Sequence, residues 1–312
     1  MIRRCMAGGA LIAALITGGC ADSSVERGGA NTGLVTSTVP ASPVSAPVPP
    51  PLPPEPMRDA PDFLFAGELT QGGWIRGQAP GGTVSAKLGD QALVLDETGA
   101  FFAAFDRDAG PEATLRATMA DGRTVESTFA ISPRDWNIER VNVARRGGGA
   151  SASFMARRRP ELAQIHAART AGSMSDGWSQ DFIWPVTGRI SGRFGSQRIY
   201  RGEPGSYHSG IDIAPGGSGA PVVAPADGVI TLATDRPFSL EGYLLFIDHG
   251  QGLNSAFLHL SKIAVKEGDR VRKGQYVANI GSSGRATGPH LHWSLKWRDA
   301  RLDPLLFTGP MP

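Results

Sequence analysis

The sequence predicts a mainly β protein in three parts: a small N-terminal β-sandwich module, a helical linker and a C-terminal antiparallel, barrel-like β-sheet domain. Three observations carry this. Gly (41) and Pro (24) are abundant among the 312 residues, which favours strands and turns over long helices. Short alternating apolar runs recur between turn signals at about ten-residue spacing. A helical pattern is read only in the middle, from Phe154 to Arg169. The hydrophobic fraction of 41% is enough to bury cores, and the length allows two domains of about 100–150 residues.

The parts follow in order. Arg3 and Arg4 precede an apolar run from Cys5 to Gly19 that is too short to span a bilayer, so residues 1–19 read as a secretory signal peptide. The run ends Ile16-Thr17-Gly18-Gly19-Cys20, which resembles a bacterial lipobox and implies cleavage and lipidation at Cys20. Thr17, in place of the usual Leu, leaves ordinary cleavage as the alternative. Residues 20–61 read as a Pro-rich tether, because ten of the positions from Pro40 to Pro61 are proline, which fixes φ and removes N–H donors. Residues 62–132 read as the β-sandwich module. Their turn signals include Gly72-Gly73, Pro80-Gly81-Gly82 and Asp121-Gly122, with runs such as Thr83 to Leu88 between them. No His or Cys falls there, so a spacer or docking role is expected. Residues 133–180 read as a basic helical linker with the helix interrupted at Pro160. Its arginines are expected to face solvent or to dock against the acidic module, with an anionic polymer as a second possible partner.

The formal charge of +2 argues against a broad nucleic-acid surface, though not against a local patch, since Arg3 and Arg4 lie in the export segment and the remainder is neutral. Cys5 and Cys20 are the two cysteines, which excludes a disulfide framework, a cysteine zinc finger or a thiol nucleophile in the folded part.

Residues 181–308 hold five of the six histidines: His208, His249, His259, His290 and His292. In His208-Ser-Gly210-Ile-Asp212-Ile213, a strand buries Ile211 and Ile213 on one face and turns Asp212 to the other. His208 stands four residues earlier across Gly210. An imidazole and a carboxylate converging this way can ligate zinc, although a hydrogen bond in a turn explains the pattern nearly as well. In Gly288-Pro289-His290-Leu291-His292-Trp293, both histidines share a strand face. His259, amid apolar neighbours at the end of a strand, is on its own more often a satisfied core histidine. Val265 to Gln275 has the pattern of a biotinyl-domain hairpin, but the following turn, Gly281-Ser282-Ser283-Gly284, lacks the modifiable lysine. A tight hairpin is the better reading, with Gly281 to Gly288 as a small-residue loop at a groove.

Together these segments resemble the M23 (lysostaphin/LytM-type) zinc endopeptidases of bacterial cell walls. The resemblance runs from Trp184 to about Leu306. It includes Trp184-Pro185-Val186, His208-Ser-Gly-Ile-Asp212, Ala224-Pro225-Ala226-Asp227-Gly228-Val229, Asp248-His249-Gly250, His259-Leu260-Ser261, Gly268-Asp269-Arg270-Val271 and Gly284-Arg285-Ala286-Thr287-Gly288-Pro289-His290-Leu291-His292. It implies one Zn2+ per chain on His208, Asp212 and His292, with His259 and His290 as the catalytic pair beside a water and the scissile carbonyl. Which of the two is the base stays open, with a preference for His290. His249 matches no ligand position, and Tyr200 and Tyr207 could assist the oxyanion. The implied function is hydrolysis of peptide cross-links in peptidoglycan. The alternative is an inactive LytM-type regulator that activates cell-wall amidases, although such members lack some of these five residues. The implied partners are peptidoglycan stem peptides, the membrane through Cys20 and envelope proteins. Ala21 after the lipidation site points to the outer membrane, and hence to D-alanyl–diaminopimelate bridges.

Overall fold

A computed structural model describes residues 61–144 and 151–312. The expected signal peptide, Cys20 and the tether up to residue 60 lie outside the described residues. Seven strands build the first layer pair: β1 (Leu64–Gly67), β2 (Trp74–Gln78), β3 (Thr83–Leu88), β4 (Gln91–Ala92), β5 (Ala100–Ala104), β6 (Glu112–Met119) and β7 (Thr124–Ala130). They form two antiparallel sheets, β1-β2-β5 and β4-β3-β6-β7. Ile75, Phe101, Leu115 and Ala117 are fully buried in the core of this module.

The segment after the module contains β8 (Ile138–Val141) and α1 (Ala152–Thr170). Beyond it come β9 (Arg189–Gly192), β10 (Gln197–Tyr200), β11 (Glu203–Pro204), β12 (Ile211–Ala214), β13 (Pro221–Val223), β14 (Gly228–Ala233), β15 (Tyr243–Asp248), β16 (Leu253–Ile263), β17 (Arg270–Val271), β18 (Tyr276–Ile280), β19 (Leu291–Trp297) and β20 (Ala300–Leu302). Ten of these make one sheet whose main path is β17-β14-β15-β16-β19-β12-β9, with β18 pairing β13 and β16, and β20 pairing β19. A small sheet, β11-β10-β8, stands beside it.

Alternation along the central strands sorts side chains onto two faces. Ile211, Ile213, Phe257, Leu291 and Trp293 are fully buried on one, each stabilising the fold by about 1.5–3 kcal/mol relative to exposure. Asp212, His292 and Leu258 are register partners on the other.

The linker departs from expectation in two ways. Strand β8 pairs in parallel with β10 and so becomes part of the C-terminal assembly. Helix α1 is continuous through Pro160 instead of breaking there. A proline inside a helix loses one hydrogen bond and crowds the preceding turn. Here the residues on both sides of it are tied to the same loop. Arg158 donates to both oxygens of Glu241 at 2.6 Å, and Glu161 accepts from the backbone N–H and the hydroxyl of Ser239 at 2.8 and 2.7 Å. Further along, Ala168 packs with Leu232, Leu244, Phe246 and Ala256. Arg158 is thus buried and ion-paired, contrary to the expectation of a solvated helix. Burial opposes its charge, but the two carboxylates more than offset this and hold the guanidinium above its ordinary value. No helix among the described residues is long and apolar enough to cross a membrane.

The module is continuous with the large sheet's core. Trp74 and Phe102 pack on Phe307 with ring centroids 5.3 and 6.3 Å apart, and Trp74 Nε1 donates to Leu306 O. Arg107 stacks between Trp136 and Tyr207 and donates to Gly195 O at 3.0 Å. Tyr207 hydrogen-bonds Arg301, so its hydroxyl serves packing here.

His249 is completely buried, its Nδ1 donating to Asp227 O and its Nε2 accepting from Ser255 Oγ. Burial pushes its pKa down to about 4. An unfolded chain protonates this residue as pH falls through about 6.5, whereas the folded chain does so only near 4. The unfolded state therefore binds more protons within that window. The stability contributed by His249 is complete above about pH 6.5 and is lost as pH falls toward 4, by about 3 kcal/mol. Urea unfolding of the native chain and of His249→Gln at pH 7 and 4.5 measures this: the variant should lose less stability between the two pH values. Paired carboxylates act mainly below about pH 4.5.

Candidate metal and catalytic site

The β12–β19 register sets Asp212 directly opposite His292. His208 reaches the same point from the preceding segment, where its backbone N–H donates to Ser196 O and its carbonyl accepts from Gly195 N–H. Three side-chain atoms then meet. His208 Nε2 lies 3.1 Å from Asp212 Oδ1 and 3.1 Å from His292 Nδ1, and His292 Nδ1 lies 2.9 Å from Asp212 Oδ1. These residues form a group able to hold a metal ion.

The donor set tests whether a metal fits. His208 Nδ1 faces Arg193 O at 3.1 Å. A carbonyl only accepts, so Nδ1 carries the proton and Nε2 of the neutral ring is a bare lone pair. With both rings neutral, that lone pair, the carboxylate oxygen and His292 Nδ1 converge with at most one proton among them. A cation resolves the crowding. Zinc bound tetrahedrally at about 2.0–2.2 Å spaces its ligands at roughly 3.3 Å, close to the separations seen here. The residues fit zinc.

Two more imidazoles stand beside the tripod. His290 Nε2 is 3.8 Å from Asp212 Oδ1, and the His259 ring lies 4.9 Å from His290 and 6.4 Å from His292. Both have Nδ1 fixed on a backbone carbonyl at 2.8 Å, Ser283 O for His259 and Gly288 O for His290. Their Nε2 lone pairs are left for chemistry. His290 lies just ahead of β19 and still converges with His292. His259 does not end its strand. It sits inside β16 at a bulge with φ +63°, where pairing with both β15 and β18 shifts register. Strict alternation would send residue 259 to the opposite face from Leu258, and the left-handed backbone re-aims it.

Burial opposes charge on His208, but Asp212 beside it outweighs this and raises its pKa. Burial would raise the Asp212 carboxyl, yet the two imidazoles hold it far below the usual range. Burial lowers His292 and His259, favouring their neutral forms. The site opens onto a groove of about 1180 Å³, whose lining includes Asn137, Arg198, Tyr200, His208, Asp212 and Arg285.

Sequence reasoning missed several contributors. Gly192 pairs with Asp212, and a β-carbon there would overlap the carboxylate and lie 3.1 Å from His208 Cε1. Glycine within a short strand was the available signal. Asn137 and Arg198 enter the groove wall through the parallel β8–β10 pairing, which no local periodicity announces. Gly192→Ala is expected to weaken divalent-metal binding by at least about tenfold, as for disturbed ligand support; competition against a chromogenic chelator measures it.

Residues 206–304 match the family model described as Peptidase family M23. The peptidoglycan DD-endopeptidase ShyA of Vibrio cholerae is 37% identical over 127 residues, covering 39% of this chain and 28% of that relative. The lipoprotein NlpD/LppB homolog of Pseudomonas aeruginosa is 35% identical over 139 residues, covering 44% of this chain and 41% of that one. The matched stretch thus spans less than half the length of these curated relatives. A solved Pseudomonas aeruginosa protein described as an M23 peptidase is 28% identical at a TM-score of 0.58, covering 77% of this chain and 94% of that chain. Its likeness therefore extends beyond the matched segment. All five converging residues fall inside residues 206–304, and the chain carries a peptidase family M23 domain.

Proposed function

We propose that this protein is a zinc metalloendopeptidase that hydrolyses peptide cross-links of bacterial peptidoglycan. The observation that carries this is the meeting of His208 Nε2, Asp212 Oδ1 and His292 Nδ1, with two further imidazoles presenting Nε2 beside them. Three protein ligands leave a fourth position open, as expected of a catalytic rather than a structural zinc. Zinc, when bound, lowers the pKa of a water molecule and polarises a carbonyl.

The remaining work falls to the chain. The backbone carbonyls of Ser283 and Gly288 fix the tautomers of His259 and His290, so each presents a proton acceptor at Nε2. We assign His290, whose Nε2 is 3.8 Å from Asp212, as the base that takes a proton from the attacking water. His259, on taking up a proton at Nε2, donates to the oxyanion that forms at the scissile carbonyl and steadies it. Arg285 in the groove wall, where Arg198 is already paired with Glu139, suits a peptide bearing a carboxylate. The similarity to the DD-endopeptidases and to the lipoprotein of Pseudomonas aeruginosa supports an envelope location, and we place the protein on the outer membrane through Cys20. D-alanyl–diaminopimelate bridges are the proposed bonds.

The lipoprotein relative favours a second reading, an amidase activator without its own turnover. Zinc analysis and mass comparison of muropeptides before and after digestion separate the two. Absence of stoichiometric zinc, with intact cross-linked muropeptides, would sink the enzyme reading.

Two predictions follow from the geometry. His208→Ala and Asp212→Asn should each lose stoichiometric zinc together with cleavage, since each removes a convergent ligand. His290→Ala and His259→Ala should keep zinc while turnover falls by about 10²–10⁴-fold. Metal analysis beside muropeptide assays checks both; loss of zinc in the second pair would overturn the division into ligands and catalytic pair.

A further inference from the structure

We propose that helix α1 acts as a latch that positions the catalytic histidine. Arg158 and Glu161 hold the loop before β15, and that loop sets the backbone of His259 and the loop after β18. The inference rests on the peptidase reading only for its kinetic arm. Helix α1 lies outside the matched residues 206–304 and touches none of the three proposed metal ligands in the contacts described.

The chain of contacts is continuous. Arg158 Nη1 and Nη2 donate to Glu241 Oε2 and Oε1 at 2.6 Å each, and Nη1 also donates to Glu161 at 3.0 Å. Glu161 accepts from Ser239 N–H and Oγ. The helix thus grips the loop at residues 239 and 241. Between and beside these grips, the loop's backbone reaches the site. Glu241 O accepts the N–H of His259 at 2.8 Å, at the residue whose φ is +63°. Leu240 O accepts the N–H of Arg285 at 2.8 Å. Gly242 lies so close to Ser283 that a β-carbon would overlap it, and Ser283 Oγ accepts from Tyr243 N–H and donates to Leu260 O. Ser283 O in turn holds His259 Nδ1. Both constraints on His259, its left-handed backbone and its tautomer, therefore pass through a loop held by two side chains of α1.

Buried charges make this grip directional. Arg158, Glu161 and Glu241 are all shielded from solvent, with side-chain exposures of 9, 13 and 16%. A bidentate arginine–carboxylate pair fixes orientation as well as distance, which a lysine cannot reproduce. By contrast His208, Asp212 and His292 are held by β12, β19 and the Arg193–Ser196 turn, independently of α1.

The test compares the full chain with Arg158→Ala, Arg158→Lys and Glu241→Gln, with exposed Arg159→Ala as control. The first readout needs no substrate: long-range 1H–15N spectra of the imidazoles, without and with added zinc. In the native chain His259 should show a single Nδ1–H tautomer. In Arg158→Ala and Glu241→Gln it should become a tautomeric mixture, while the zinc-induced shifts of His208 and His292 persist. The second readout is turnover. Arg158→Ala should lower kcat by about 10²-fold, as for a catalytic group displaced by about 1 Å, with zinc stoichiometry and KM held and Arg158→Lys restoring part of it. Arg159→Ala should match the native chain in both. An unchanged His259 tautomer in Arg158→Ala and Glu241→Gln overturns the latch, as does loss of the zinc-induced shifts in step with it. A native chain without peptidase turnover sinks the peptidase reading alone, because the tautomer readout still decides the latch.

Discussion

The pairing of β12 with β19 is the constraint on which the site depends. It places Asp212 opposite His292 and buries Ile211, Ile213, Leu291 and Trp293 behind them. A slip of one residue would exchange the two faces, turning Asp212 and His292 into the core and the isoleucines into the groove. The free energy of burying those apolar side chains therefore specifies the position of the polar ones. The site needs no separate scaffold because its geometry is a by-product of core packing.

Around that fixed pair the remaining groups are supplied by irregular structure. His208 comes from a turn held to Arg193 and Ser196 carbonyls, His259 from a bulge, and His290 from the residue just before a strand. Each imidazole that leaves Nε2 for the site has Nδ1 on a carbonyl. Carbonyl acceptors are an economical way to fix a tautomer, since they offer no proton of their own. The close approach of Gly192 to Asp212 follows from the same crowding: the tripod fits where the facing strand has no side chain.

The parts outside the matched domain are bound into it rather than strung before it. The N-terminal module shares a core with the large sheet through Trp74, Phe102 and Phe307, and its Arg107 reaches the turn that carries His208. Strand β8 forms one wall of the groove, and α1 seals apolar residues on the face of the sheet that also bears the site. The linker's surplus of arginines thus has structural occupation: Arg158 on Glu241 and Arg134 on Asp303, both across long stretches of chain.

By itself the sequence determined the fold class and marked the residues of the candidate site. Turn residues and alternation predicted a mainly β chain with a sandwich ahead of a larger sheet, because these depend on local backbone preferences. The i, i+2 and i, i+4 spacings brought out His290, His292, His208 and Asp212, because strand periodicity is local too. Tertiary structure decided what depends on partners remote in sequence. The helix runs through Pro160 because Arg158 and Glu161 are tied to residues 241 and 239, and no local propensity contains that contact. His259 joins the site because β16 bulges against two neighbours at once. Gly192, Asn137 and Arg198 matter only through cross-strand pairing. Local patterns report what a segment does alone; long-range pairing determines which of its side chains meet.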